Sequence, residues 1–160
     1  MVVEWFLVLL VLVLIGANAV FVAAEFSLVT VDRPTVARLA REGDRRARSL
    51  HAAVRKLSTQ LSGAQLGITV TSLVVGFIAE PSIAALLLAP IEAMGLPQGS
   101  ASPLAFTIAF LIATVAQMVF GELVPKNWAI AEPLRVSRAV AGLQRGFTWV
   151  TSPLVSFLNG

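Results

Sequence analysis

The chain has no cysteine, so disulfides, thiolate metal sites and thiol chemistry are excluded. It is also poor in charge: 13% of its residues are Asp, Glu, Lys or Arg, where soluble domains carry about a quarter. No Lys or Arg lies between Lys56 and Lys126. Histidine is almost absent as well, and the single His51 sits among arginines, where it reads as a solvated surface residue rather than a ligand or pH sensor. What is abundant is apolar: 57% of the residues are hydrophobic and the mean hydropathy is +0.84.

That apolar content is gathered in three uncharged runs, 5–24, 57–79 and 103–121, each about long enough to cross a bilayer as a helix. The first is too long for a signal-peptide core and has only Glu4 before it, with no basic region. None alternates as a barrel strand does. The expected fold is an all-α membrane protein with three transmembrane helices, over about 4–30, 58–79 and 103–124.

All twelve Lys and Arg residues fall in two windows, 33–56 and 126–145, and none in the connection 80–102. The positive-inside rule puts both windows in the cytoplasm and the connection outside. The expectation is a multi-pass protein of the cell membrane, N-terminus outside and C-terminus cytoplasmic. Anionic lipid of the inner leaflet accounts for the basic windows, so nucleic acid is not needed as a partner.

Between the spans, residues 33–56 read as a cytoplasmic helical hairpin. Asp32 and Pro34 mark its start, and Glu42-Gly43-Asp44 breaks it. Residues 83–91 (IAALLLAPI) are apolar but half a spanning length, with Pro81, Pro90 and Pro97 around them; a short re-entrant or interfacial helix on the outer side is expected. After Pro133, Val136, Val140, Leu143, Phe147, Val150 and Leu154 repeat at helical spacing, opposite Arg135, Arg138 and Arg145. That pattern predicts an amphipathic juxtamembrane helix over about 133–152, lying on the inner leaflet with Trp128 and Trp149 as anchors and ended or kinked by Pro153.

Chemistry is concentrated at Gly121-Glu122-Leu123-Val124-Pro125-Lys126. Proline has no N–H and clashes with the carbonyl four residues back, so Pro125 frees the carbonyl of Gly121 beside the carboxylate of Glu122. A freed carbonyl next to a carboxylate supplies oxygen ligands for a hard cation, and Pro125 is a candidate hinge. On the second span, Ser58, Ser62, Gln65, Thr69 and Ser72 fall within about 80° of one helix face. This stripe reads as interhelical glue or as the wall of a polar cavity. Gly63 and Gly67, on another face, read as a close helix contact. Asn18 and Glu25 are nearly aligned on the first span, and Thr107, Thr114, Gln117 and Gly121 share a face of the third. Glu25 and Lys126 are candidate gating or structural residues.

Three stretches, Asn18 to Glu25, the Leu61-Ser-Gly-Ala-Gln-Leu-Gly-Ile-Thr69 segment, and above all Gly121-Glu-Leu-Val-Pro-Lys126, resemble the transmembrane domain of the CNNM/CorC family over almost the whole chain. The resemblance implies a homodimeric three-span transporter, not an enzyme, that moves magnesium (Mg2+), in proposed exchange for sodium (Na+). It implies further a cytosolic CBS-domain pair that binds ATP, and often a small C-terminal domain, neither expected within residues 1–160, which read as the isolated membrane domain. The family's ion site matches directly at Gly121 and Glu122. Where the best-known members have Gly-Asn-Asn on the second span, this chain has Gly63-Ala64-Gln65-Leu66-Gly67, so Gln65 and Thr69 are expected to replace those oxygens, joined by Ser62 and Asn18. Some relatives with this Gln65-Leu-Gly-Ile-Thr69 variant are associated with polyamine export. A putrescine or cadaverine exporter is therefore one alternative, and a membrane sensor or scaffold without transport another.

Overall fold

In the computed structural model, which describes residues 2–159, the first uncharged run forms one helix, α1 (Val2–Thr30). A helical hairpin follows, α2 (Arg33–Arg41) and α3 (Arg45–Arg55). Asp32 accepts from the Thr35 N–H at 3.0 Å and Pro34 occupies the first turn, as its fixed φ allows. The hairpin turns at Gly43, whose φ of 101° only glycine adopts without strain. Asp44 then caps α3, accepting from the N–H groups of Arg46 at 2.9 Å and Ala47 at 3.1 Å. The Ala47 bond first, then the Arg138 charge, hold the Asp44 carboxyl below its ordinary value.

The second pass is a single helix, α4 (Leu57–Ala93). The third comprises α5 (Gln98–Ala116), a π-helical stretch (Gln117–Leu123) and α6 (Val124–Ala131). Helix α7 (Pro133–Asn159) closes the chain. Among the described residues, three stretches are long and apolar enough to cross a membrane: Val2–Thr30, Leu57–Ala93 and Gln98–Ala131. Their outward faces carry apolar side chains such as Phe77, Phe110 and Leu111, a surface suited to acyl chains rather than water. The protein is an all-helical, multi-pass membrane protein.

Inside, small residues bring the passes together. Ala101, Ala105 and Ala109 of α5 are buried against Ala84 and Ile91 of α4, while Val11 and Ile15 of α1 pack on Val75 and Ala79. The hairpin has its own core, in which Val36, Leu50 and Ala53 meet Leu28 of α1 and Ala141 of α7.

Two expectations need correction. Residues 83–91 are not a separate outer helix but the last turns of α4, which runs through Pro81 and Pro90. The alanine face of α5 keeps this segment packed despite the two missing N–H groups, and the Ser82 hydroxyl donates to the Ile78 carbonyl at 2.6 Å beside the first break. At 37 residues the helix is about 55 Å long, well beyond the roughly 30 Å of hydrocarbon. Glu80, expected in the outer connection, thereby becomes part of a spanning helix.

Helix α7 also differs. Pro153 neither ends nor interrupts it, and its protein-facing side mixes small and polar residues with Val136 and Val155. Ser137, Ala141, Gln144 and Thr148 are buried, whereas Leu143, Trp149, Val150 and Leu154 are exposed. Its arginines also have partners in the chain: Arg138 pairs with Asp44, the exposed Arg145 donates to the Ser49 hydroxyl at 3.0 Å, and the exposed Arg135 pairs with Glu132. The close approach needs Gly63, where a Cβ would lie 2.5 Å from Thr148 Oγ1. Gly67 plays the same part toward α1, since a Cβ there would lie 2.7 Å from the Phe21 ring.

Candidate functional site

The third pass does not end at Pro125; it widens one turn earlier. Pro125 has no N–H to offer the Gly121 carbonyl, and the backbone accommodates this as a π-helical stretch in which the Val124 N–H reaches the Val119 carbonyl, five residues back. A π turn of this kind is rare and often marks a functional position. The released Gly121 carbonyl accepts from Asn18 Nδ2 of α1 at 3.0 Å.

Asn18 is fully buried and ties all three passes together. Its Oδ1 accepts from the hydroxyls of Thr71 at 2.7 Å and Ser72 at 3.2 Å on α4. The Ser72 hydroxyl in turn accepts from Gln117 Nε2 at 3.2 Å, in the π stretch. A ring therefore runs Gln117 to Ser72 to Asn18 to Gly121 and back along the third pass. A Cβ at Gly121 would lie 3.1 Å from the Gln117 amide and press on that side chain.

Beyond the ring lies a cavity of 260 Å³ between α4 and the third pass. Glu122 lines it, with Ser72, Thr114 and Gln117, and so does Glu80. Apolar side chains, among them Val75, Phe110 and Met118, form the rest of the wall. Neither Glu80 nor Glu122 is in an ion pair among the described residues. Gln117 Oε1 is buried without a hydrogen-bond partner.

The residues singled out from the sequence are thus divided. Asn18, Gly121 and Glu122 come together around the π stretch, with Pro125 buried one turn further on. Gln65 and Thr69 do not line this cavity. Gln65 Nε2 lies 3.5 Å from Glu25 Oε1, and the Thr69 hydroxyl donates to the Gln65 carbonyl of its own helix. Ser62 lies earlier on α4 and is half-buried. Lys126 does not meet Glu25 but sits over the Phe26 ring, 4.7 Å from its centre. Sequence reasoning passed over Thr71 and Glu80. The signal for Glu80 was present, since Ser72, Gly76 and Glu80 continue the polar stripe at steps of four.

A family model described as the cyclin M transmembrane N-terminal domain matches residues 9–160. Among curated proteins, the UPF0053 protein MT1890 of Mycobacterium tuberculosis is 44% identical over 96% of this chain and 34% of its own length. The UPF0053 proteins YugS and YhdT of Bacillus subtilis are 38% and 37% identical, each over 92% of this chain and 34% and 32% of their lengths. The chain spans about a third of the length of the curated relatives it matches.

Proposed function

Because this chain belongs to the cyclin M (CNNM) transmembrane domain family, we propose that it forms the membrane pathway of a divalent-cation transporter, with magnesium as the cargo. One observation carries the reading: the π stretch releases the Gly121 carbonyl into the polar core and places Glu122 beside it, facing a cavity. A carboxylate in a membrane span is costly and is a functional candidate by default. Hydroxyl, amide and carbonyl oxygens around it are the ligand types that hard cations take.

In this mechanism Asn18 holds the Gly121 carbonyl while no cation does, and yields it when Glu122 draws an ion in. Access then changes side by movement about the Pro125 turn. Exchange against sodium, a homodimeric assembly, control through an ATP-binding CBS pair and contact with anionic lipid of the inner leaflet are part of this proposal for the whole protein, and rest on the resemblance of the Gly121-to-Lys126 motif and on the basic windows. The positive-inside argument supports a cell-membrane protein with its N-terminus outside and C-terminus in the cytoplasm.

A second reading, export of a short diamine such as putrescine, draws on the same cavity, whose lining combines two carboxylates with apolar side chains. Thermal unfolding of the full-length protein in detergent separates the two, because a ligand of the folded state raises stability by about 2.7 kcal/mol at a hundred times its Kd. Wild type is expected to melt higher with magnesium and Glu122→Gln to show no such shift. Equal shifts in both proteins would remove Glu122 from the site. A shift with putrescine and none with magnesium would establish the diamine reading.

A further inference from the structure

We propose that the cavity between the start of α4 and the end of α7 binds a phosphate group, carried on an anionic lipid or on a soluble phosphate compound. The site lies apart from the cation pathway and does not depend on that reading.

Its walls come from distant parts of the chain. Arg55, Lys56, Ser58 and Thr59 supply one side and Ser152 and Ser156 of α7 the other, around a volume of 640 Å³. Among the described residues, no carboxylate lines it. Arg55 and Lys56 are exposed and form no ion pair there. The arginines at the start of α7 differ in this respect, since Glu132 pairs with Arg135 and Asp44 with Arg138. The four hydroxyls of the cavity likewise have no hydrogen-bond partner among the described residues. On the same side of α7, Gln144 and Thr148 precede Ser152 and Ser156 at steps of four, and both bond to Gln60. The polar stripe thus continues past its protein partners and ends in a cavity.

The backbone adds further donors. Helix α4 starts at Leu57, and its cap residue Lys56 makes no side-chain cap. The N–H groups of Leu57, Ser58 and Thr59 find no acceptor among the described residues, and Gln60 is the first to bond, to the Lys56 carbonyl at 3.0 Å. An uncapped helix start favours an anion through these N–H groups and the helix dipole. Guanidinium, ammonium, hydroxyl and backbone donors together exceed what the two oxygens of a carboxylate engage. A phosphate group brings more acceptor oxygens and more charge. The positive-inside rule puts residues 33–56 in the cytoplasm, and basic pockets at that end of spanning helices take anionic headgroups.

Thermal unfolding of the full-length protein tests the site, in lipid-free detergent titrated separately with phosphatidylglycerol and with inorganic phosphate. Wild type is expected to melt higher with at least one of them. A rise with phosphatidylglycerol alone assigns the site to lipid headgroups. A rise with inorganic phosphate alone assigns it to soluble phosphate compounds, and a rise with both to the phosphate group whatever carries it. Lys56→Gln should weaken the apparent Kd about fivefold. Ser152→Ala combined with Ser156→Ala should weaken it about tenfold, although no charge changes. Arg45→Gln, at an exposed arginine outside the cavity, should leave it unchanged. No rise with either probe overturns the proposal, and so does an equal rise in wild type and the folded double serine variant. A loss in Arg45→Gln as large as in Lys56→Gln also overturns it, because a diffuse basic surface then accounts for the binding.

Discussion

Two polar clusters are buried between the helices, and they are built for different ends. Around Asn18, the ring of Ser72, Gln117 and Gly121 opens on a cavity with two carboxylates and leaves Gln117 Oε1 unpaired. Between α4 and α7, Gln144 Nε2 donates to the Gln60 carbonyl at 2.9 Å and to Thr148 Oγ1 at 3.1 Å, and Thr148 reaches Gln60 Oε1 at 3.3 Å. This second cluster leaves Gln144 Oε1 unpaired in the same way but contains no charged side chain, and it lies where Gly63 lets α7 approach closely. Hydrogen bonds alone therefore do not identify a site in a membrane protein, because both clusters have them. What distinguishes the first is a released backbone carbonyl, unpaired carboxylates and room for a ligand.

The comparison is broken most forcefully at Asn18. Asn18→Leu leaves the Gly121 carbonyl without its side-chain donor and the Ser72 hydroxyl without its acceptor, while Thr71 keeps the Gly67 carbonyl, at a cost of roughly 1–3 kcal/mol for each buried group left unpaired. A marked fall in melting temperature is expected, together with loss of the magnesium-dependent shift. A variant that melts as wild type would show that the ring is not what joins the passes.

The second cluster should respond more mildly and without effect on the cation. Gly63→Ala places a methyl against Thr148 and is expected to cost about 1–3 kcal/mol, the range for overpacking. Thr148→Ala on the same chain should restore most of it, because it removes both Oγ1 and Cγ2 from the clash. Additive losses in the double variant, measured by thermal unfolding, would place the collision elsewhere.

The smallest effect is expected at the hairpin, where acid acts on the tie between Asp44 and Arg138. The Asp44 carboxyl is depressed by its bond from Ala47 and by the Arg138 charge, so its folded form holds the proton less tightly than the unfolded chain. Its stabilising contribution is complete above the ordinary aspartate range, about 3.9, and is lost as pH falls through the lower folded value. Hydrogen exchange in α3 should rise at acid pH in wild type. Asp44→Asn should show raised exchange already at neutral pH and little further change with acid.

Much of this organisation was legible in the chain. Uncharged runs gave away three passes, Asp32 and Gly43 gave away the hairpin, and Gly63 and Gly67 gave away a close contact, because each depends on local chemistry or on a period along one helix. The pairing of Asn18 with Gly121 was not legible, since 103 residues separate them and nothing local links their helix faces. Nor was the fate of the prolines. Pro81 and Pro90 read as punctuation, yet the packed alanines of α5 carry α4 through them.

By itself the sequence determined that the protein lives in a membrane, that its passes are helical, and that Pro125 frees a carbonyl beside Glu122. Burial free energy, backbone satisfaction in hydrocarbon and the missing proline N–H are properties of composition and spacing. Only the tertiary structure decided who receives that carbonyl, which of the striped oxygens face the cavity, and that Glu80 shares it with Glu122. Those outcomes depend on how three helices rotate and slide against one another, and that is set by the fit of small side chains at contacts far apart in the chain.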